Sequence, residues 1–251
     1  MEKIRLSPSR VNDFSNCPQL YKYRVIDQIP EEISLDAERG KLVHSILESL
    51  FDAHSSERTL PHALSLVADK WRKQVESQPG LHVLVSEEKE WFDRVSSLLA
   101  TYFTLEEPAT FDATARELHL ELDFTEGVYL HGYVDRLDIA PTGEVRIVDY
   151  KTGKSPRSGW EEKALFQLRI YALIYWKNTG VLPRLLQLIY LGDAQLVKSQ
   201  PTELDLLKTE RKLHEIAEEI ADAITSGVWK AKKSRLCDWC SFKPICPAHK
   251  I

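Results

Sequence analysis

The sequence predicts an α/β fold: a central mixed sheet flanked by helices, with a helical N-terminal region and a cysteine-bearing C-terminal tail. Three observations predict it. Up to about residue 106 the apolar residues recur at helical spacing. From residue 118 to residue 151 they alternate with polar ones, and two short turns break the run. Beyond that, helical and extended stretches take turns up to residue 226.

Each element has a local cause. Ser7-Pro8 reads as an N-cap with proline at the first helical position. Residues 35–51 place Leu42, Val43, Ile46, Leu47 and Leu50 along one helix face, and segments near 60–77 and 87–106 repeat the pattern less regularly. Leu118, Leu120, Leu122 and Phe124 mark a first strand. Glu126-Gly127 turns the chain into a second strand over 128–139, and Pro141-Thr142-Gly143 into a third over 144–151. A helix over 161–177, a fourth strand over 184–191 and a long helix over 202–226 follow. The tail from Trp229 is short and basic, and no internal repeat or low-complexity segment interrupts the chain.

The 251 residues allow one large domain, and 43% hydrophobic with 28% charged residues is a balance that can fill a core. A formal net charge of −5 excludes a protein that coats nucleic acid with a uniformly basic surface, while leaving room for a local basic groove. The opening residues lack the apolar run of a secretory leader. No stretch approaches the ~20 apolar residues that span a bilayer. A cytoplasmic protein without membrane contact is expected. Disulfides are rare in that compartment, so Cys17, Cys237, Cys240 and Cys246 need another use.

The chemistry gathers on the second and third strands. Asp135 lies in Gly132-Tyr133-Val134-Asp135-Arg136-Leu137-Asp138, and Asp149 and Lys151 lie in Val148-Asp149-Tyr150-Lys151-Thr152-Gly153. Residues i and i+2 of a strand share a face, so Asp149 and Lys151 point the same way, and a short hairpin brings Asp135 beside them. Two converging carboxylates repel unless a cation separates them, and a hard ion such as Mg²⁺ prefers oxygen ligands. An amine next to that ion can orient a water or take its proton, which suits phosphodiester hydrolysis. The plainer reading is a pair of solvated strand-end carboxylates and a surface lysine. Glu117 and Glu121 could also reach the site, but both are read as ordinary strand residues.

These two segments resemble the second and third motifs of RecB-like PD-(D/E)XK nucleases. Arg39-Gly40-Lys41-Leu42-Val43-His44 resembles the family's glycine-to-histidine helix motif, and Gln167-Leu168-Arg169-Ile170-Tyr171 its glutamine–tyrosine motif. The segment from Ser7 through Cys17-Pro18 to Tyr23 resembles the start of members that carry a cluster. The resemblance implies a restriction-endonuclease-like core in a single domain over 1–251: a mainly helical part over 1–110, the catalytic sheet and helix over 111–200, and a helix with an iron–sulfur tail over 201–251. It implies a Mg²⁺ or Mn²⁺ site held by His44, Asp135, Asp149 and the main-chain carbonyl of Tyr150. Lys151 becomes the catalytic lysine, with Gln167 and Tyr171 positioning the site or the DNA. Glycine inside a helix costs ~1 kcal/mol relative to alanine, so Gly40 marks a close approach of chain or substrate.

Cys237-Asp238-Trp239-Cys240 forms one C-x-x-C pair, with Cys246 just beyond and Cys17 over two hundred residues away. Four thiolates can hold Zn²⁺ or a [4Fe–4S] cluster. Zinc sites more often use two such pairs, and proline follows both Cys17 and Cys246, as happens beside iron–sulfur ligands. The one-plus-three arrangement resembles that of AddB-type helicase–nucleases and CRISPR adaptation nucleases. The [4Fe–4S] cluster is therefore the expected cofactor, tying the two ends of the chain together, and zinc is the runner-up.

Two basic stretches, Lys151, Lys154 and Arg157 after the third strand and Lys230, Lys232, Lys233 and Arg235 before the cysteines, could hold phosphates or simply be solvated. Trp160, Trp229 and Trp239 could stack on bases or serve as packing. The expected function is a metal-dependent DNA nuclease, an exonuclease of repair or recombination acting on single strands or duplex ends. The alternative is a non-catalytic DNA-binding or scaffold protein that kept the fold. No Walker loop or helicase motif is present, so any motor or repair partner is a separate chain.

Overall fold

A computed structural model of the chain describes residues 3–157 and 159–249; Met1 and Glu2, the start of the segment read for a leader, lie outside them. The helices and strands run in the order β1 (Ile4–Leu6), α1 (Pro8–Asn16), α2 (Pro18–Tyr21), α3 (Leu35–Leu50), α4 (Leu60–Ser65), α5 (Val67–Ser77), α6 (Gly80–Leu84) and α7 (Glu88–Leu105). Then come β2 (Ala115–Thr125), β3 (Val128–Ile139), β4 (Val145–Lys151), α8 (Glu161–Thr179), β5 (Leu185–Tyr190), β6 (Gln195–Ser199) and α9 (Glu203–Ser226). Local chemistry sets the ends. Ser7 caps α1 through the Arg10 amide (3.3 Å). At α9, Thr202 and Asp205 form a capping box, and Gly227 closes the helix at φ +72°.

Six strands form one mixed sheet among the described residues, in the order β1-β3-β4-β5-β6, with β2 also on β3. β2 runs antiparallel along most of one edge of β3. The other edge is shared: β1 pairs in parallel with Val128, Tyr129 and Leu130, and β4 pairs antiparallel with Arg136 to Ile139. Residues 131–135 therefore have no strand partner on that edge. This gap between β1 and β4 is where the site opens.

The sheet separates two cores. Val145 and Ile147 of β4 and Leu186 and Leu188 of β5 pack with α8 and α9 on one face. Val148, Tyr150 and Ile189 pack with α3, α5 and α7 on the other. This is the burial on both faces expected of inner strands. Gly132 lets α8 sit close to β3, because a Cβ there would stand 2.6 Å from Cε1 of Tyr171.

The longer elements agree with their sequence expectations to within one or two residues at most ends. Three features differ. The opening is not wholly helical: β1 is a three-residue strand too short to show a period, held by its ladder with β3. Segment 60–77 is two helices broken at Leu66 rather than one. The chain after β5 turns at once into β6, whose Leu186↔Ser199 to Tyr190↔Gln195 pairing the sequence did not announce.

Candidate active site

β3 and β4 pair as far as Arg136↔Val148 and no further, so Asp135 and Asp149 stand where the two strands part. The Tyr150 amide donates to Asp135 Oδ2 at 2.7 Å and ties the two strands across the opening. From α3, His44 brings Nδ1 to 3.4 Å from the same oxygen. From α8, Gln167 donates from Nε2 to Asp149 Oδ1 (2.8 Å) and accepts from Lys151 Nζ at Oε1 (3.1 Å). Lys151 Nζ also stands 2.6 Å from Asp149 Oδ2. That oxygen is buried and receives no hydrogen bond of proper angle, so this contact is an ion pair by proximity only.

Tyr171, one turn beyond Gln167 on the same side of α8, is buried against Gly132 and lies within the field of both carboxylates. The Tyr150 side chain turns away and takes a 2.6 Å bond from Arg136, so what Tyr150 could offer an ion is its main chain. The Cβ of an alanine at 40 would meet Thr152 Oγ1 at 3.3 Å, so the glycine in α3 accommodates the loop that follows Lys151. His44, Asp135, Tyr150 and Lys151 of the expected set line one open cleft of about 780 Å³, and Asp149 and Gln167 are bonded directly behind them, with Tyr171 one turn further along α8.

Glu117, read from the sequence as an ordinary strand residue that could reach the site, lies beside them. Ligand atoms of His44, Glu117 and Asp135 all lie within 4.8 Å of one another. Glu117 sits opposite Asp135, between the pairs Arg116↔Arg136 and Leu118↔Val134, so counting back through the Glu126-Gly127 turn would have found it. Its backbone lies in the left-handed region at φ +44°, an uncommon state for a residue with a Cβ. Glu121 remains an exposed strand residue bonded to the Tyr129 hydroxyl.

The electrostatics follow from burial and crowding. Burial, then the Asp135 charge, pushes the Asp149 carboxyl up to about 6. The same two causes push Glu117 up to about 7. Burial alone would lower His44, but its bond to Asp135 and the charges of Asp135 and Asp149 leave it raised. Lys151, which burial would also lower, is raised by Asp149.

The four cysteines also meet. Cys17, at the junction of α1 and α2, and Cys237, Cys240 and Cys246 of the tail line one cavity of about 50 Å³. Amides point at two of the sulfurs: Lys232 N–H at Cys17 Sγ (3.3 Å) and Ser234 N–H at Cys237 Sγ (3.5 Å). Tyr23 and Phe242, ring centroids 5.0 Å apart, are buried beside them. Lys232 and Lys233 line this cavity too. Trp229 stacks on Tyr21 (6.0 Å) as packing, whereas Trp160 and Trp239 are exposed.

Comparison with known proteins gives consistent results. The Gene 69 protein of Mycobacterium phage D29 is 25% identical over 284 aligned positions, covering 100% of both chains. The Gene 69 protein of Mycobacterium phage L5 is 22% identical over 286, covering 97% of this chain and 96% of its own. A crystal structure from Eubacterium rectale, described as that of a candidate exonuclease, shares the fold with a TM-score of 0.61 at 14% identity. That likeness covers 98% of this chain and 88% of the other. The family description of the PD-(D/E)XK nuclease superfamily matches residues 5–247, nearly the whole length, and the chain belongs to that superfamily.

Proposed function

We propose that this protein is a Mg²⁺- or Mn²⁺-dependent deoxyribonuclease, an exonuclease of DNA repair or recombination and one cytoplasmic domain over residues 1–251. The observation that carries the reading is the meeting of His44, Asp135, Asp149 and Lys151 where β3 and β4 part. The donor set suits a hard divalent ion: crowded carboxylates, an imidazole, and a buried Asp149 Oδ2 without a hydrogen-bond donor. His44, Asp135, Asp149 and the Tyr150 carbonyl would hold it, with Glu117 a further oxygen donor in reach. When bound, the ion supplies Lewis-acid stabilisation of charge developing on the phosphoryl oxygens. Lys151 Nζ, fixed by Gln167 and Asp149, orients the attacking water or moves its proton. Gln167 holds Asp149 and Lys151 in one geometry, and Tyr171 packs against Gly132 one turn further along α8. A scaffold that had given up catalysis would have no need of the complete set. The direct test is incubation of anaerobically purified protein with end-labelled single- and double-stranded DNA and Mg²⁺ or Mn²⁺. Shortening from an end is expected, and an intact label in every condition overturns the reading.

Metal-free protein should lose stability as pH rises from about 4 to about 7, the span between the ordinary and the raised values of two carboxyls. Asp149 and Glu117 are raised to about 6 and about 7 from ordinary values of 3.8 and 4.5. A raised acid holds its proton more tightly when folded, so its contribution is complete at low pH and fades as pH climbs through the folded value. His44, also raised, contributes fully below its ordinary value and is lost as pH rises through the folded one. All three act in the same direction, and a cation between the carboxylates should reverse the loss. Thermal melting in EDTA and in millimolar Mn²⁺ checks this. The Mn²⁺-induced rise should be larger by several degrees at the higher pH, and equal rises would remove the cation from between these groups.

The iron–sulfur branch of the RecB-like family, with a [4Fe–4S] cluster and a separate helicase or repair partner, is part of the same reading. Its support is the cavity ringed by Cys17, Cys237, Cys240 and Cys246, with amide donors aimed at two sulfurs. A compact zinc site would draw four thiolates to ~2.3 Å from one point. The two metals differ in what they leave in the protein, iron and sulfide or a single zinc ion. Linking Cys17 to the tail closes a loop longer than the 100 residues for which a disulfide is worth about 4.7 kcal/mol. Cys17→Ser should lower the melting temperature on the order of 10 °C, at 2–4 °C per kcal/mol for a chain of this size. It should also remove iron, sulfide and visible colour. Colourless wild-type protein carrying one equivalent of zinc would overturn the cluster.

A further inference from the structure

One face of the β2–β3 hairpin is left open, and it leads into the cleft. Tyr129, His131, Tyr133 and Asp135 follow one another at i, i+2 along β3 and so share a face. Their cross-strand partners on β2 are Asp123, Glu121, His119 and, by count, Glu117. The opposite face carries Val128, Leu130 and Val134 into the core. On this one Tyr133 is 56% exposed and the His119 side chain 39%, while Tyr129 and His131 are half-buried.

The rings on this face form a continuous row. His119 and Tyr133 are stacked at 4.7 Å with planes 28° apart, and Tyr129 and His131 are stacked at 6.0 Å with planes 26° apart. His119 and His131 join the two pairs at 6.3 Å, and the Arg5 guanidinium caps the far end 5.0 Å from the Tyr129 ring. Cross-strand aromatic pairs help fix hairpin register, but that role needs neither exposure nor continuity with a catalytic cleft. Here the row ends one strand step from Asp135 and Glu117.

We infer that this open face is a track for single-stranded polynucleotide, on which bases stack against Tyr133 and His119 while the backbone passes on to the carboxylate cleft. The inference rests on the nuclease reading. Stacking on aromatic faces is the sequence-tolerant way to hold a single strand, because every base has a π face. A duplex keeps those faces inside its own stack, so the track selects unpaired strands. The charges are compatible with a phosphate backbone. Arg5 and Arg10, linked through the Arg5 carbonyl (2.9 Å), supply cations at the far end. Of the nearby acids, Asp123 is paired with Lys3 (2.6 Å), and Glu121 accepts from the Tyr129 hydroxyl and lies 3.7 Å from His119 Nδ1.

The test is fluorescence anisotropy with the full-length chain carrying Lys151→Ala, so that the probe survives, titrated with a labelled mixed-sequence single strand and with a blunt duplex. Adding Tyr133→Ala and His119→Ala should weaken single-strand binding at least roughly tenfold and duplex binding far less. Tyr133→Phe with His119→Phe should keep most of the affinity, since the π faces remain. Both residues are exposed, and an unchanged melting temperature confirms that the variants fold. If wild-type protein cleaves DNA but the alanine variants bind as well as the parent, the track is wrong and the nuclease reading stands. Loss of binding with no cleavage by wild type leaves the track standing and removes the nuclease reading. Equal losses for single strand and duplex overturn the track. Absence of binding and cleavage overturns both.

Discussion

Lys151→Ala should reduce DNA cleavage by two to four orders of magnitude, roughly the range supplied by a positioned proton-transfer group, and should leave ion binding intact. The lysine is not among the oxygen and imidazole groups that would hold the ion. It stands beside them, fixed at 3.1 Å by Gln167 Oε1 and at 2.6 Å by Asp149. Its loss takes away the ammonium that stands 2.6 Å from the buried Asp149 carboxylate. A bound divalent ion supplies that charge, so the fold should hold when metal is present. Asp149→Ala should behave differently, losing both cleavage and calorimetric Mn²⁺ binding, because it removes a ligand and the partner of Gln167. Single-turnover cleavage and isothermal titration on the same preparations separate the two cases. Undiminished turnover in pure Lys151→Ala protein would refute the role given to Lys151.

The parts of the site legible in the sequence are those made by local pattern. Alternation and the Pro141-Thr142-Gly143 turn define the β3–β4 hairpin, and the hairpin alone brings Asp135 to Asp149 and Lys151. Helical spacing puts Gln167 and Tyr171 on one side of α8. What the sequence hides depends on distant partners. β1 and β6 are too short to show a period and owe their conformation to ladders with β3 and β5. The left-handed backbone of Glu117 lies inside the β2–β3 hairpin, and no propensity of glutamate announces it. Arg136 and Glu106 run against the ordinary expectation that charged side chains stay outside. The pair forms between residues 30 apart in sequence, and only the assembled core shows why they are inside.

Arg136→Met should cost about 3–5 kcal/mol, the range for removing one partner of a buried ion pair. At about 2–4 °C per kcal/mol for a chain of this size, melting should fall on the order of 10 °C. Arg136 is 1% exposed and grips Glu106 with two bonds (2.7 and 3.0 Å). It also bonds Asp138 (3.2 Å) and the Tyr150 hydroxyl (2.6 Å), and lies 4.8 Å from the Phe111 ring. Without it, Glu106 keeps, among the described residues, Arg146 at 3.3 Å and Gln187 at 3.2 Å for a carboxylate whose side chain is 6% exposed. The consequence reaches the cleft because Arg136 follows Asp135 and anchors Tyr150, the residue between Asp149 and Lys151. Activity should therefore fall further than the unfolded fraction at assay temperature accounts for. Replacing Glu106 by leucine in the same chain removes the stranded charge and leaves Asp138 with Arg146 at 2.8 Å. The double variant should recover part of the lost stability, since a buried pair exchanged for apolar groups is often nearly neutral. It should not recover activity, because Tyr150 still lacks its anchor. A single variant melting within about 2 °C of wild type would show that the buried pair does not support the site.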